Sequence, residues 1–221
     1  MIARTDFEGD VNVGLFGVAT DRFVFVSPNL SEKDLDAIEK SFNLPLVQTT
    51  IATIDLVGLV SVGNSNGILV PYTIYNEEFE ALKASSEVPV EIIDSKLTAL
   101  GNIIVANDNG AICHPEFDAR SRKKMEDILD VEVIPGTVAK LPIVGSLALV
   151  TNVGAIVHPM VTEEETDSLA QLLKVHVEVG TVNRGSPYTS IGVLANSDGM
   201  IAGSDTTGVE LAHISQMLGF V

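Results

Sequence analysis

The feature that most constrains this chain is a repeat. Beginning at Val13, the segments VGLFGVATDRFVFVSP (13–28), VGLVSVGNSNGILVP (57–71), LGNIIVANDNGAICHP (100–115), VGSLALVTNVGAIVHP (144–159) and SIGVLANSDGMIAGS (190–204) share one pattern. Pro28, Pro71, Pro115 and Pro159 recur at intervals of 43, 44 and 44 residues. Gly14, Gly58, Gly101 and Gly145 recur at 44, 43 and 44, and Gly67, Gly110, Gly154 and Gly199 at 43, 44 and 45. Three marker sets keep one period, which the evenly spaced hairpins of an ordinary sandwich do not do. A unit of about 44 residues cannot bury its apolar faces alone, so neighbouring units must share a core. The 221 residues hold five such units.

Each unit reads alike. A β-rich run such as Leu59–Val62 leads into an Asn/Gly turn and a second run such as Ile68–Val70. Asn and Gly between β-branched runs signal a hairpin, because both tolerate positive φ. The proline then stops the second strand. A helix follows, opened by cap signals such as Ser31 with Asp34, Thr162 with Glu165 and Thr207 with Glu210. Apolar spacings such as Leu35/Ile38/Phe42, Met125/Ile128/Leu129 and Leu169/Leu172/Leu173 give these helices one inward face. A third strand closes the unit, at Val90–Ile93, Val131–Ile134 and Val175–Val179. The reading is one α/β domain over 1–221: a closed, propeller-like wheel of five ββαβ-type repeats with pseudo-fivefold symmetry. The repeats run 13–56, 57–99, 100–142, 143–187 and 188–221. The last stops after its helix, so residues 1–12 are expected to supply its missing strand.

Charge narrows the partners. Thirteen Lys and Arg stand against 30 Asp and Glu, a net charge of −17. A protein that tracks phosphates neutralises them with Lys and Arg, so free nucleic acid is a poor partner. The same holds for an anionic membrane surface. Acidity favours basic partners, although a charge of this size also serves solubility. The acidic clusters Glu77/Glu78/Glu80 and Glu163/Glu164/Glu165 fall in first turns of helices, where they oppose the helix dipole, and read as solvated. The one basic run, Arg120/Arg122/Lys123/Lys124, reads as a solvated helix face. The opening residues show no apolar signal core and no run approaches 18 apolar residues. A single cysteine, Cys113, excludes a disulfide framework within the chain and fits a reducing cytoplasm.

Catalytic patterns are missing. His114 and His158 both precede the repeat proline, so they read as strand-end hydrogen-bonding groups rather than ligands. No HExxH, Cys/His zinc spacing, GxSxG or Walker loop occurs, and no cofactor or metal is expected. The segment GTVNRGS (180–186) reads as a surface turn between units four and five. What recurs is a ring of turn residues: Asp21, Asn64, Asn107, Asn152 and Asn196. Plain turn chemistry accounts for each one singly. Together, symmetry sets them at one end of a rigid disc as a docking face.

LTALGNIIVANDNGA (97–111), VGSLALVTNVGAIVHP (144–159), GTVNRGS (180–186) and SDTTGVEL (204–211), set on the fivefold repeat, resemble the archaeal and eukaryotic translation initiation factor 6 family, the ribosome anti-association factors. The resemblance spans essentially the whole chain. Eukaryotic members carry an acidic, phosphorylatable tail that this chain, ending at Val221, does not show, so an archaeal member is expected. The resemblance implies a pentein fold and a cytoplasmic monomer that is not an enzyme. It implies binding to the large ribosomal subunit on the face that meets the small subunit, with a steric block on joining and a part in subunit maturation. The implied contacts are universal large-subunit protein fourteen, with proteins three and twenty-four and the sarcin–ricin loop nearby. The family's docking turn maps onto Ala106–Asn107–Asp108 here, and symmetry extends it to Asn64, Asn152 and Asn196. Leu59 and Leu100, beside repeat glycines, are read as core. The alternative on a pentein fold is an amidino-group-modifying enzyme with Cys113 as nucleophile.

Overall fold

The computed structural model describes all residues from Met1 to Val221. Five three-stranded sheets form a ring of blades. In each, the first strand runs antiparallel to the second and the second parallel to the third. The parallel pair is joined by a rim helix: Glu32–Phe42, Asn76–Ser85, Ala119–Leu129 and Glu163–Leu173 in blades one to four. Blade five has the rim helix Gly208–Met217, and its third strand is Ile2–Thr5, which pairs in parallel with Met200–Gly203. The two ends of the chain thus meet in one sheet. First strands touch at four of the five seams around the axis, Val193–Ala195 of blade five against Gly17–Ala19 of blade one included; between blades one and two it is residues Val57–Val60 that meet Gly17–Ala19.

The rim helices form where the cap signals stand. Ser31, Thr162 and Thr207 each accept from the backbone N–H three residues on, which satisfies one of the helix's unpaired donors. Asp118 does the same for Ser121. The inward faces are those with the apolar spacing: Ile38 and Phe42, Met125 and Leu129, and Leu169, Leu172 and Leu173 are all buried. Fully burying such a side chain stabilises the fold by about 1.5–3 kcal/mol. Leu100 is completely buried and Leu59 partly so.

Three local expectations are corrected. Residues 59–62 are not one strand: Val57–Val60 is a helical turn, and the strand begins at Val62. Blades one, three and four have the same turn at Val13–Phe16, Leu100–Ile103 and Val144–Leu147. A close approach of backbones around the axis accounts for this. A Cβ on Gly58 would lie 2.2 Å from Gly14 O, one on Gly101 1.9 Å from Gly58 O, and one on Gly145 2.1 Å from Gly101 O. Ser190 takes the fifth place, its hydroxyl bonded to Gly145 O. Second, the third strands of blades three and four begin one residue later than expected, at Glu132 and His176.

The third correction concerns the hairpin glycines. None of Gly67, Gly110, Gly154 and Gly199 has positive φ. Their small size is needed instead because the next blade's rim helix ends against them. An added Cβ would sit 2.6 Å from Ile128 O, 2.5 Å from Leu172 O, 1.9 Å from Met217 O and 2.1 Å from Ser41 O respectively. Phe23 stands at the corresponding place in blade one, 44 residues before Gly67. There the facing helix, Asn76–Ser85, ends without the left-handed cap seen at Asn43, Asp130 and Lys174.

Candidate functional site: the turn ring and the axis

The five hairpin turns gather at one end of the axis, and there the polar side chains form two concentric layers rather than one ring. The inner layer holds Thr20, Asn64, Asn107, Thr151 and Asn196; the outer holds the residue after each, Asp21, Ser65, Asp108, Asn152 and Ser197. The expected ring mixed the two: Asp21 and Asn152 belong one position further on than Asn64, Asn107 and Asn196. Asn, Asp, Ser and Thr all suit turns, so only the packing separates the layers.

The inner asparagines are buried, at 3%, 4% and 2% exposure for Asn64, Asn107 and Asn196. They are therefore not themselves a contact surface. Each Oδ1 accepts from the backbone two and three residues on, shaping its own turn. Each Nδ2 reaches the next blade. Asn64 donates to Asn107 O (3.1 Å) and Leu129 O (2.8 Å); Asn107 donates to Thr151 O (3.1 Å) and Leu173 O (2.9 Å); Asn196 donates to Thr20 O (2.9 Å). Leu129 and Leu173 end rim helices, so these amides also satisfy helix C-terminal carbonyls that have no partner within the helix.

The outer layer is half-exposed in Asp21, Asp108, Asn152 and Ser197 and is one connected network. Asp108 accepts from Ser65 N (2.8 Å) and Oγ (2.7 Å), and its own N–H donates to Asn152 Oδ1 (2.8 Å). Asn152 Nδ2 donates to Asp108 Oδ2 and to Asp21 Oδ2, both at 2.7 Å. Asp21 also accepts from Ser197 N and Oγ. Asn152 thus joins two carboxylates across the mouth of the axis. Outside this network the turns present Arg22, Val153 and Asp198 to solvent, and Asn66 and Asn109 in part.

The axis offers little room for a small molecule. About 20 Å³ remains between the polar turn residues, and about 120 Å³ in the apolar middle lined by residues such as Val62, Ile104 and Leu194. Small-molecule sites usually need about 300–1,000 Å³. No three His, Cys, Asp or Glu side chains converge as metal ligands. Cys113 is fully buried, and burial pushes its thiol up to about 11 against the opposing pull of Arg122. A nucleophilic cysteine needs the reverse, exposure and a lowered pKa. His114 and His158 accept at Nδ1 from Glu116 N (3.1 Å) and Met160 N (3.0 Å), so both shape the turn after their strand.

At the opposite end of the axis, the acidic clusters are not wholly solvated as expected. One glutamate of each helix start turns back to hold the preceding loop. Glu78 accepts from Thr50 Oγ1, Ala52 N, Thr53 N and Tyr75 N. Glu165 accepts from Thr137 Oγ1, Lys140 N and Thr162 N. Glu210 accepts from Thr181 Oγ1, Arg184 N, Gly185 N and Thr207 N, which ties down the GTVNRGS turn. Burial alone would raise the Glu210 carboxyl, but these bonds outweigh it and draw it down to about 2. Half of the basic run is paired, Lys123 with Asp127 (3.0 Å) and Lys124 with Glu91, whereas Arg120 and Arg122 form no ion pair.

A model of the eIF-6 family matches residues 2–217, nearly the whole wheel. The chain belongs to the eIF-6 family. Among curated proteins it is 44% identical to translation initiation factor 6 of Thermococcus gammatolerans over 225 residues, covering all of this chain and 99% of that protein. It is 41% identical to translation initiation factor 6 of Pyrococcus horikoshii with the same coverage. The corresponding factor of Natronomonas pharaonis is 41% identical over 218 residues, 99% of each chain. This eIF-6 family member therefore aligns with archaeal initiation factors over 99% or more of its length. No helix is long and apolar enough to cross a membrane.

Proposed function

We propose that this eIF-6 family member acts in translation initiation by binding the large ribosomal subunit on its intersubunit face and sterically preventing the small subunit from joining. End-to-end correspondence with archaeal translation initiation factor 6 carries this reading. The wheel suits a steric role. Its blades are locked to one another by buried amides and close-packed glycines, and its one thiol is buried. A rigid disc blocks an approaching surface without any chemical step.

The docking surface in this reading is the turn end. Asp108 and Asn152, with Asn109 and Val153 beside them, contact the partner. Asn64, Asn107 and Asn196 lie beneath as positioning residues. The partners are basic large-subunit proteins, foremost universal protein fourteen, with proteins three and twenty-four and the sarcin–ricin loop adjacent. The factor works as a cytoplasmic monomer and also attends subunit maturation. Sedimentation tests the binding: the protein is expected to travel with free large subunits in a sucrose gradient. If it stays at the top with large subunits in excess, the reading fails.

A further inference from the structure

All three tyrosines of the chain, Tyr72, Tyr75 and Tyr188, are exposed, by 52%, 57% and 42%, whereas none of its eight phenylalanines is. All three lie at the end of the axis away from the hairpin turns. Tyr72 follows the second strand Gly67–Pro71, and Tyr75 precedes the rim helix Asn76–Ser85. The loop that bears Ile54, itself 40% exposed, is fastened to the same place. The Glu78 carboxylate accepts from Thr53 N at 2.9 Å, Ala52 N at 2.8 Å and Tyr75 N at 3.1 Å. One side chain thereby fixes the backbones that carry Ile54 and Tyr75 side by side. Two exposed tyrosines three residues apart and an aliphatic neighbour on a pinned backbone have the character of interface hot spots, which favour tyrosine held at low entropic cost.

The segment that bears the platform carries charge of one sign. No Lys, Arg or His occurs between Lys40 and Lys83. Within that stretch stand Asp55, Glu77, Glu78 and Glu80. Glu78 is committed to the loop and Glu80 lies 3.9 Å from Lys83. Asp55 and Glu77 have no ion-pair partner. Two tyrosine faces beside free carboxylates match a guanidinium or ammonium group, which gains both cation–π contact and charge pairing.

We propose that Ile54, Tyr72 and Tyr75, flanked by Asp55 and Glu77, form a docking platform for an arginine- or lysine-bearing segment of a protein partner. It lies at the far end of the axis from Asp108 and Asn152, so both surfaces are open to occupation at once.

A 14-residue peptide of alternating Arg and Gly tests the platform, with a Glu–Gly peptide of equal length as control. The chain has no tryptophan, so its near-ultraviolet emission comes from the three tyrosines and reports binding directly. The Arg–Gly peptide is expected to change that emission saturably, and to shift backbone amide resonances at Ile54, Tyr72 and Tyr75. The double variant Tyr72→Ser/Tyr75→Ser is expected to weaken binding at least tenfold with an unchanged melting temperature. Serine at 75 keeps the N–H that Glu78 accepts and is a favoured N-cap residue. The proposal is overturned by unchanged affinity in that variant, or by no saturable binding at millimolar peptide. It is equally overturned by shifts spread evenly over Glu163–Glu165 and Glu210, which signify charge alone, or centred on Asp108 and Asn152.

Discussion

The Nδ2 of Asn107 lies 2.9 Å from the carbonyl oxygen of Leu173, the last residue of the neighbouring blade's rim helix. The same nitrogen reaches Thr151 O at 3.1 Å. One buried amide therefore joins a hairpin turn, the next hairpin turn and a helix terminus across the seam between blades three and four. Asn64 repeats the arrangement one seam earlier, with Asn107 O and Leu129 O.

Truncating that amide strips buried carbonyls of their donor. Asn107→Ala is expected to lower unfolding free energy by about 1–3 kcal/mol, the usual cost of a buried polar group left unpaired. Asn107→Thr copies the residue blade four uses at this place and keeps an acceptor for the turn, so it is expected to lose less. Urea unfolding of the three proteins measures the order. Equal midpoints would remove the inter-blade role. Substitutions at Asn107 thus perturb the wheel itself, and docking is better probed at Asp108 or Asn109.

Gly101→Ala is expected to destabilise strongly, by about 1–3 kcal/mol or more, because its Cβ would meet Gly58 O at 1.9 Å. Gly208 has open space where a Cβ would go. Gly208→Ala should stay within about 0.5 kcal/mol of the parent, as surface substitutions do. Thermal melts of the pair separate glycines that close the axis from those that do not.

Much of this was legible in the sequence, because one packing problem is solved five times and so leaves a period. The glycines, prolines, cap residues and inward helix faces all fall where the repeat placed them. Several contacts between blades and loops did not show. The hairpin glycines looked like turn residues, and only the neighbouring helix reveals that Gly110 is small because Leu172 O lies against it. The polar ring looked like one set because Asp21 and Asn152 are as suited to turns as Asn64. Which layer each joins depends on a blade about 44 residues away. Glu78 and Glu165 were misplaced for the same reason: an acid at a helix start looks solvated until the loop it grips is seen.

Acid should unfasten the Glu210 loop. The folded carboxyl titrates near 2, below its ordinary 4.5, so its ionised form favours the folded state at pH above about 4.5. That contribution fades as pH falls from 4.5 towards 2. Glu210→Gln is therefore expected to be less stable than the parent at pH 7 and to converge with it near pH 2. Urea midpoints across that range read the difference; a gap that persists at pH 2 would contradict the assignment.

Cys113 should be inert in the folded protein. With its thiol near 11, about one molecule in a thousand carries a thiolate at pH 8. Modification by iodoacetamide at pH 8 is expected to be about 100-fold slower or more in buffer than in denaturing urea. Rapid single-site labelling of the native protein would revive the nucleophile reading.

Subunit joining tests the proposed function most directly. Purified large and small subunits, mixed in the presence of magnesium, are followed by light scattering as they associate. Large subunits preincubated with one equivalent of this protein are expected to lose most of the association amplitude, whereas small subunits treated the same way are not. Full-amplitude joining with saturating protein on the large subunit would contradict the steric account.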